Sequence, residues 1–186
     1  MQGYGATFFE TAVGVCGLAW SARGVSHAAL PEADPQATRA RLSRRAGAPF
    51  ERAPPAEIAA VVARIVALLD GEAVDLSDVA LDLDRVDAFE RQVYEFARFI
   101  PCGETRTYSE IARAIGDPAA ARRVGQALGR NPVPIIVPCH RVVAAGGKTG
   151  GFSAPGGVVT KLRILEIERN ATSARPTPRG GQMSLF

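Results

Sequence analysis

The stretch Asn131-Pro-Val-Pro-Ile-Ile-Val-Pro-Cys139-His140-Arg141-Val-Val constrains this chain more than any other. Its three prolines fix the backbone and remove amide donors. The apolar run Ile135, Ile136, Val137 ends at Pro138, and a cysteine follows the break directly. Such a segment holds a side chain rigidly at the edge of a core. A cysteine is nucleophilic only as thiolate, so it needs a base or a positive charge nearby. His140 and Arg141 are adjacent, and Glu168 is available from a later helical stretch. A carboxylate behind a histidine fixes its tautomer and makes it a better base. Neighbours in an extended chain point to opposite faces, so His140 would reach Cys139 through a water. On its own, a Cys-His pair in an apolar setting is more often structural.

The chain divides into two halves and a tail. Residues 1–84 read as an α/β unit. Strands broken by glycine run from Tyr4 to about Leu30, with a hairpin at Ala22-Arg23 between Gly17-Leu-Ala-Trp-Ser and Gly24-Val-Ser-His. A helix is predicted over Gln36–Ala46, with Arg39, Arg41, Arg44 and Arg45 on a solvated face. A second is predicted over Pro55–Leu69, where Ile58, Val61, Val62, Ile65 and Leu68 keep helical spacing. Val74 to Leu83 alternates apolar and acidic residues and reads as another strand.

Residues 85–169 read as mostly helical. Phe89, Val93, Phe96 and Ile100 form one stripe, broken by Pro101-Cys102-Gly103. Thr107 and Glu110 form a capping box for the next helix. Asp117-Pro118 supplies a cap and a first-turn proline for one more, through about Leu128. Periodicity alone fits a helix-turn-helix and a generic helical hairpin equally well. A final helix is predicted over Val158–Glu168. Residues 170–186 are rich in Pro, Gly and Arg and read as a flexible tail.

The 186 residues, 47% hydrophobic, suit one large domain or two small ones sharing a core. A net charge of +3 with a pI near 9.0 permits binding to a phosphate backbone. Three widely spaced cysteines form no disulfide framework and fit a reducing cytoplasm. There is no basic segment leading into an apolar run at the start, and no apolar stretch of the roughly 18 residues a membrane span needs. A cytoplasmic protein without a membrane partner is expected. Cys16 and His27 are too few for a metal site, so no metal and no cofactor are expected.

The segment from Gly103 to Glu168 resembles the O6-alkylguanine-DNA alkyltransferases, also called methylated-DNA–protein-cysteine methyltransferases. The resemblance rests on Pro101-Cys-Gly-Glu-Thr, Thr107-Tyr-Ser-Glu-Ile-Ala, Ala121-Arg-Arg-Val-Gly, the Pro-Cys-His-Arg segment, and Gly150-Gly-Phe-Ser, in matching order and spacing. The N-terminal half matches only in general pattern, notably Gly17-Leu-Ala-Trp followed by Leu30-Pro-Glu. The fold it implies is a ribonuclease-H-like α/β domain followed by a mostly helical, winged-helix-like domain with a helix-turn-helix.

The activity it implies is DNA repair. An alkyl group on guanine O6 is moved once per molecule to Cys139, with His140 as base through water and Glu168 orienting the histidine. Asn131 is implied as the hinge between helix-turn-helix and active-site segment; capping the preceding helix is its plainer role. Tyr108 is implied to donate to guanine N3, although a tyrosine at a helix start is ordinarily just packed. Arg122 is implied to fill the stack left by an extruded nucleotide; otherwise it is one of several solvated arginines. Ala121 and Gly125 keep that helix slim, and Arg141 joins the DNA-binding set. The carbonyls of Cys139 and Val142 would accept from the guanine amino group, the Ser153 amide would donate to O6, and Phe152 would pack over the alkyl group. Double-stranded DNA is the implied partner, approached by a monomer from the minor groove with little sequence preference. O4-alkylthymine is a further substrate to test.

Phe152 stands where many members carry tyrosine, and the loop Ala154-Pro-Gly-Gly157 is slightly longer than usual. Three rival readings exist. A non-catalytic alkyltransferase-like lesion binder would lack the acceptor cysteine, a helix-turn-helix regulator would need a sensor segment, and a cysteine hydrolase would turn over. The tail ends Gln182-Met183-Ser184-Leu185-Phe186. This looks like the short peptide with which bacterial repair proteins dock on the DNA sliding clamp. Folding back onto the protein's own surface is the plainer use of Leu185 and Phe186.

Overall fold

The computed structural model describes residues 4–47 and 51–173. Three strands, β1 (Gly5–Phe9), β2 (Cys16–Ser21) and β3 (Gly24–Ala29), form an antiparallel sheet in that order. The β2–β3 hairpin turns at Ala22-Arg23, with Ser21 paired to Gly24. Gly24 is required there: its φ is +130°, and a Cβ would come within 2.3 Å of the Ala80 carbonyl oxygen.

That close approach comes from the segment expected to be a strand over Val74–Leu83. It is not one. Val25 and Leu81 make a single isolated bridge, and the rest is irregular chain with one turn at Ser77-Asp78. The acidic residues that gave the alternation bond elsewhere: Asp78 pairs with Arg64, and Asp82 with Ser21 and Arg23. The Asp75 carboxylate accepts from the Ser77 amide at 2.8 Å, which closes a turn, while Leu76, Val79 and Leu83 still point into the core.

Helix α1 (Pro35–Ala46) begins one residue before the expected start, because Asp34 caps it by accepting from the Ala37 amide, and Gly47 ends it in the left-handed region. Helix α2 (Ala56–Leu69) buries Ile58, Val61, Ile65, Leu68 and Leu69. Helix α3 (Ala88–Arg98) is capped by Asp87. Strand β4 (Arg106–Thr107) leads straight into α4 (Tyr108–Ala114), whose Thr107–Glu110 capping box forms as expected. Asp117 makes no side-chain cap. Pro118–Ala120 form a 3-10 turn, and α5 (Ala121–Arg130) starts only after it. Strand β5 (Val142–Val143) pairs parallel with β4, and this brings the first residue of α4 beside the Pro-Cys-His-Arg segment.

Helix α6 (Gly157–Ser173) runs past the expected end, so Asn170 to Ser173 are helical and do not belong to a tail. The clamp-like residues Gln182, Met183, Leu185 and Phe186 lie outside the described residues. One core joins the two halves: Leu18, Trp20, Ile65 and Leu68 pack in the same cluster as Tyr94, Val124, Ile136, Val142 and Ile164. Each side chain of that size, fully buried, stabilises by roughly 1.5–3 kcal/mol. Among the described residues no helix is long and apolar enough to cross a membrane.

Candidate active site

The proline-rich segment is held from within. The Asn131 side chain donates to the Val137 carbonyl at 2.8 Å and accepts from the Val133 amide at 3.0 Å. Asn131 also ends α5, its own amide bonding back to Leu128. Asn131 thus ends α5 and ties together the segment that follows it. Ile135 sits at φ 76°, a left-handed conformation that costs a branched residue energy and persists only where the surroundings enforce it. The chain then closes a 3-10 turn over Cys139–Arg141 rather than staying extended. Cys139 is left 9% exposed, and His140 is fully buried.

Glu168, one side chain on the inner face of α6, gathers the polar groups beneath Cys139. It accepts from His140 Nε2 at 2.9 Å, from Arg141 Nη2 at 2.7 Å and Nε at 3.0 Å, and from the Gly103 amide at 3.3 Å. Burial pushes the Glu168 carboxyl up, but His140 and Arg141 more than offset this and bring it to about 2. It is ionised. Burial pushes His140 down and keeps it neutral, against the pull of Glu168. With Nε2 as the donor to a carboxylate, Nδ1 is the basic nitrogen, and Nδ1 is buried with no partner among the described residues. The histidine is thus a neutral base with its lone pair unused.

Arg141 does not belong to a DNA-binding surface, contrary to expectation. It is 6% exposed, its fork is spent on Glu168, and Nη1 donates to the Ile100 carbonyl at 2.6 Å. A guanidinium paired this way fixes the carboxylate that fixes the histidine.

Lys161 went unforeseen. It is fully buried, and Nζ donates to the Val142 carbonyl at 2.6 Å and to the Gly151 carbonyl at 3.3 Å. Burial lowers its pKa to about 8, while Cys139 favours its charge. Burial likewise pushes the Cys139 thiol up, and the Asn131 side chain and the Lys161 charge act against that. A signal existed: Lys161, Ile164, Leu165 and Glu168 lie on one helical face, and all are buried. Val142, expected to meet the substrate through its carbonyl, already gives one lone pair to Lys161. The Cys139 carbonyl accepts from the Val142 amide, and each oxygen carries a second lone pair.

Cys139 lines a cleft of about 540 Å³ that also takes in Tyr108, Ala121, Arg122, Gly125, Phe152 and Ser153. Tyr108 forms one wall, with its hydroxyl 3.4 Å from the Gly151 carbonyl. Burial raises its pKa, so it stays a phenol. Gly150 is needed beneath it: φ is +70°, and a Cβ would lie 3.0 Å from the phenol ring and oxygen. Arg122 is exposed on α5 at the rim, whereas its neighbour Arg123 stacks on Phe89 at 3.9 Å. The Ser153 hydroxyl donates to the Gly129 carbonyl at 2.7 Å, which ties the Phe152 loop to the end of α5.

This arrangement has known counterparts. Residues 88–170 match the family model described as 6-O-methylguanine DNA methyltransferase, DNA binding domain. The chain is 45% identical over 123 residues to a methylated-DNA–protein-cysteine methyltransferase of Mycolicibacterium paratuberculosis, covering 66% of this chain and 72% of that one. A Mycobacterium tuberculosis OGT structure in complex with DNA superposes with a TM-score of 0.71 at 35% identity, over 89% of this chain and 93% of that one. The O6-methylguanine-DNA methyltransferase of Pyrococcus kodakaraensis gives 0.67 at 29%, over 88% and 98%. Sharing both sequence and fold across most of these relatives' length, the chain belongs to the methylated-DNA–protein-cysteine methyltransferase family.

Proposed function

We infer that the protein repairs DNA by moving an alkyl group from guanine O6 to the Cys139 sulfur, once per molecule. The observation that carries this is Cys139 lining an open cleft, next to a buried neutral histidine whose Nε2 is held by the Glu168–Arg141 pair, which leaves Nδ1 as the base. The thiol proton passes to His140 Nδ1 through a water. The S–C bond forms as the C–O6 bond breaks, and the electron pair stays on the guanine. The Tyr108 phenol donates to N3 and stabilises that charge, while the second lone pairs of the Cys139 and Val142 carbonyls take the amino group. The Ser153 amide donates to O6, and Phe152 packs over the alkyl group. A thioether has no route back to thiolate, so one event consumes one molecule. With an excess of methylated duplex, transfer should stop at one alkyl group per protein. Continued turnover would mean a hydrolase instead.

A base inside a duplex cannot reach a cysteine this buried, so the nucleotide is extruded. The slim face of α5 at Ala121 and Gly125 enters the minor groove, the protein acts as a monomer, and Arg122 fills the emptied stack. Arg122→Ala should therefore slow repair of duplex by about tenfold or more, the scale of a lost 1–2 kcal/mol contact, and leave reaction with free O6-benzylguanine within about twofold. Equal slowing of both would point to misfolding.

The domain reading that accompanies this is a ribonuclease-H-like unit at 1–84 and a winged-helix-like catalytic unit at 85–169. Three widely spaced cysteines suit work in the cytoplasm. The terminal peptide, Gln182 to Phe186, docks on the bacterial DNA sliding clamp and raises the local concentration of the repair unit on newly copied DNA. A fluorescent peptide of residues 176–186 should bind purified clamp with Kd ~1 µM. Alanine at Leu185 and Phe186 should abolish this and leave transfer on short duplexes unchanged. A peptide that does not bind ends the docking reading.

A further inference from the structure

Arg45 reads from the sequence as part of a solvated face, and the structure leaves it exposed while giving its guanidinium two fixed partners. Its Nη2 donates to the Arg130 carbonyl at 3.2 Å and to the Asn131 carbonyl at 2.9 Å. These are the last carbonyls of α5, where a helix leaves acceptors unsatisfied and carries partial negative charge. The cation that caps this end comes from α1, in the other half of the chain. The helix it caps carries Arg122 and Gly125 along the cleft, and the residue it holds, Asn131, braces the acceptor segment.

Two further observations place Arg45 near the chemistry. It lines a narrow cleft of about 20 Å³ together with Asn131, Cys139 and Ser153. It also has no acidic partner among the described residues, whereas Arg41 on the same helix pairs with Glu32 at 2.9 Å. The charged and titratable groups facing Arg45 are Arg41 from α1, His27 from β3, Tyr94 from α3 and Cys139. Those facing Cys139 are Lys161 from α6, Tyr94 from α3, Tyr108 from α4 and His140 beside it. Glu168 is committed to His140 and Arg141, so the field at the sulfur is set by cations.

We propose that Arg45 is a positioning residue for the transfer, locking the end of α5 and Asn131 onto the acceptor segment and setting a second positive charge near the Cys139 sulfur. This rests on Cys139 being the acceptor. Burial disfavours the Arg45 cation and Arg41 repels it, while an ionised Cys139 favours it. Linkage is reciprocal, so the cation favours the thiolate by the same amount.

The test uses the full chain with Arg45→Gln and Arg45→Lys, following the rate with free O6-benzylguanine against pH alongside the melting temperature. Removing the charge should slow transfer by about two- to fivefold at neutral pH, the scale of an interaction with a solvent-exposed charge. The gap should stay constant at lower pH and close at alkaline pH, where both thiols are ionised. Arg45→Lys should restore the parental pH profile but stay slower, because an ammonium cannot span both carbonyls as the fork does. A Gln variant whose pH profile superposes on the parent, or which is slowed evenly at every pH, overturns the proposal. If that variant does not fold, the Lys variant decides alone: a slower rate at the parental melting temperature supports the role, and any other result overturns it. Failure of the acceptor assignment shows separately, as loss of alkyl transfer to Cys139 in the parent.

Discussion

Glu168→Ala should destabilise the protein by about 3–5 kcal/mol, because it leaves one buried guanidinium uncompensated and one histidine unheld. Arg141 loses three of its contacts and keeps only the Ile100 carbonyl. The Gly103 amide loses its acceptor as well. Urea unfolding reads this directly, and a loss below about 1 kcal/mol would show that the Glu168 pairing is incidental. The same carboxylate makes stability depend on acid. Its folded pKa, about 2, lies below the ordinary 4.5, so its contribution is complete above pH 4.5 and is lost as pH falls toward 2. That contribution is roughly 3 kcal/mol at neutral pH. Parent and variant should therefore converge in stability as pH falls through this window. A difference independent of pH would mean that Glu168 acts through packing alone.

Cys139→Ser should abolish alkyl transfer to below detection. A hydroxyl in this setting has no accessible anion: burial already raises the far more acidic thiol, against the Asn131 side chain, the Lys161 charge and the backbone amides of Cys139 and His140. The change replaces one atom inside a rigid segment, so the cleft, Tyr108 and the rim arginine keep their places. Binding to methylated duplex should stay within about threefold of the parent, under 1 kcal/mol, as measured by fluorescence anisotropy. Transfer retained in the serine variant would move the acceptor elsewhere. The alternatives are poor: Cys16 is buried in the sheet with its thiol pushed up to about 11.

What the sequence made legible was local. The Thr107–Glu110 capping box and the hairpin at Ala22-Arg23 each depend on residues within a few positions of one another, and both form as read. Alternation over Val74–Leu83 misled because period alone cannot weigh an aspartate that bonds its own turn against a strand that needs a partner. Asp117 has a good cap's chemistry, but Pro118 starts a 3-10 turn and the aspartate pairs with Arg123 instead. At the site, the specific residues came from a family resemblance, and their environments came from the fold. Arg141 beside a cysteine looks like a surface cation until α6 brings Glu168 against it. Lys161 occupies a core position of its helix, yet its long charged side chain reads as solvated unless the Val142 and Gly151 carbonyls are known to wait for it. Arg45 is solvated as read, but its role was not legible because its partners lie 85 and 86 residues away.

The central claim is that Cys139 takes the alkyl group. Incubating the protein with a duplex carrying one O6-methylguanine, then measuring intact mass and mapping peptides, tests it most directly. The account predicts a gain of one methyl group per molecule, located on Cys139, with guanine restored in the DNA. A methyl group on Cys16 or Cys102, or an unmodified protein beside repaired DNA, would contradict it.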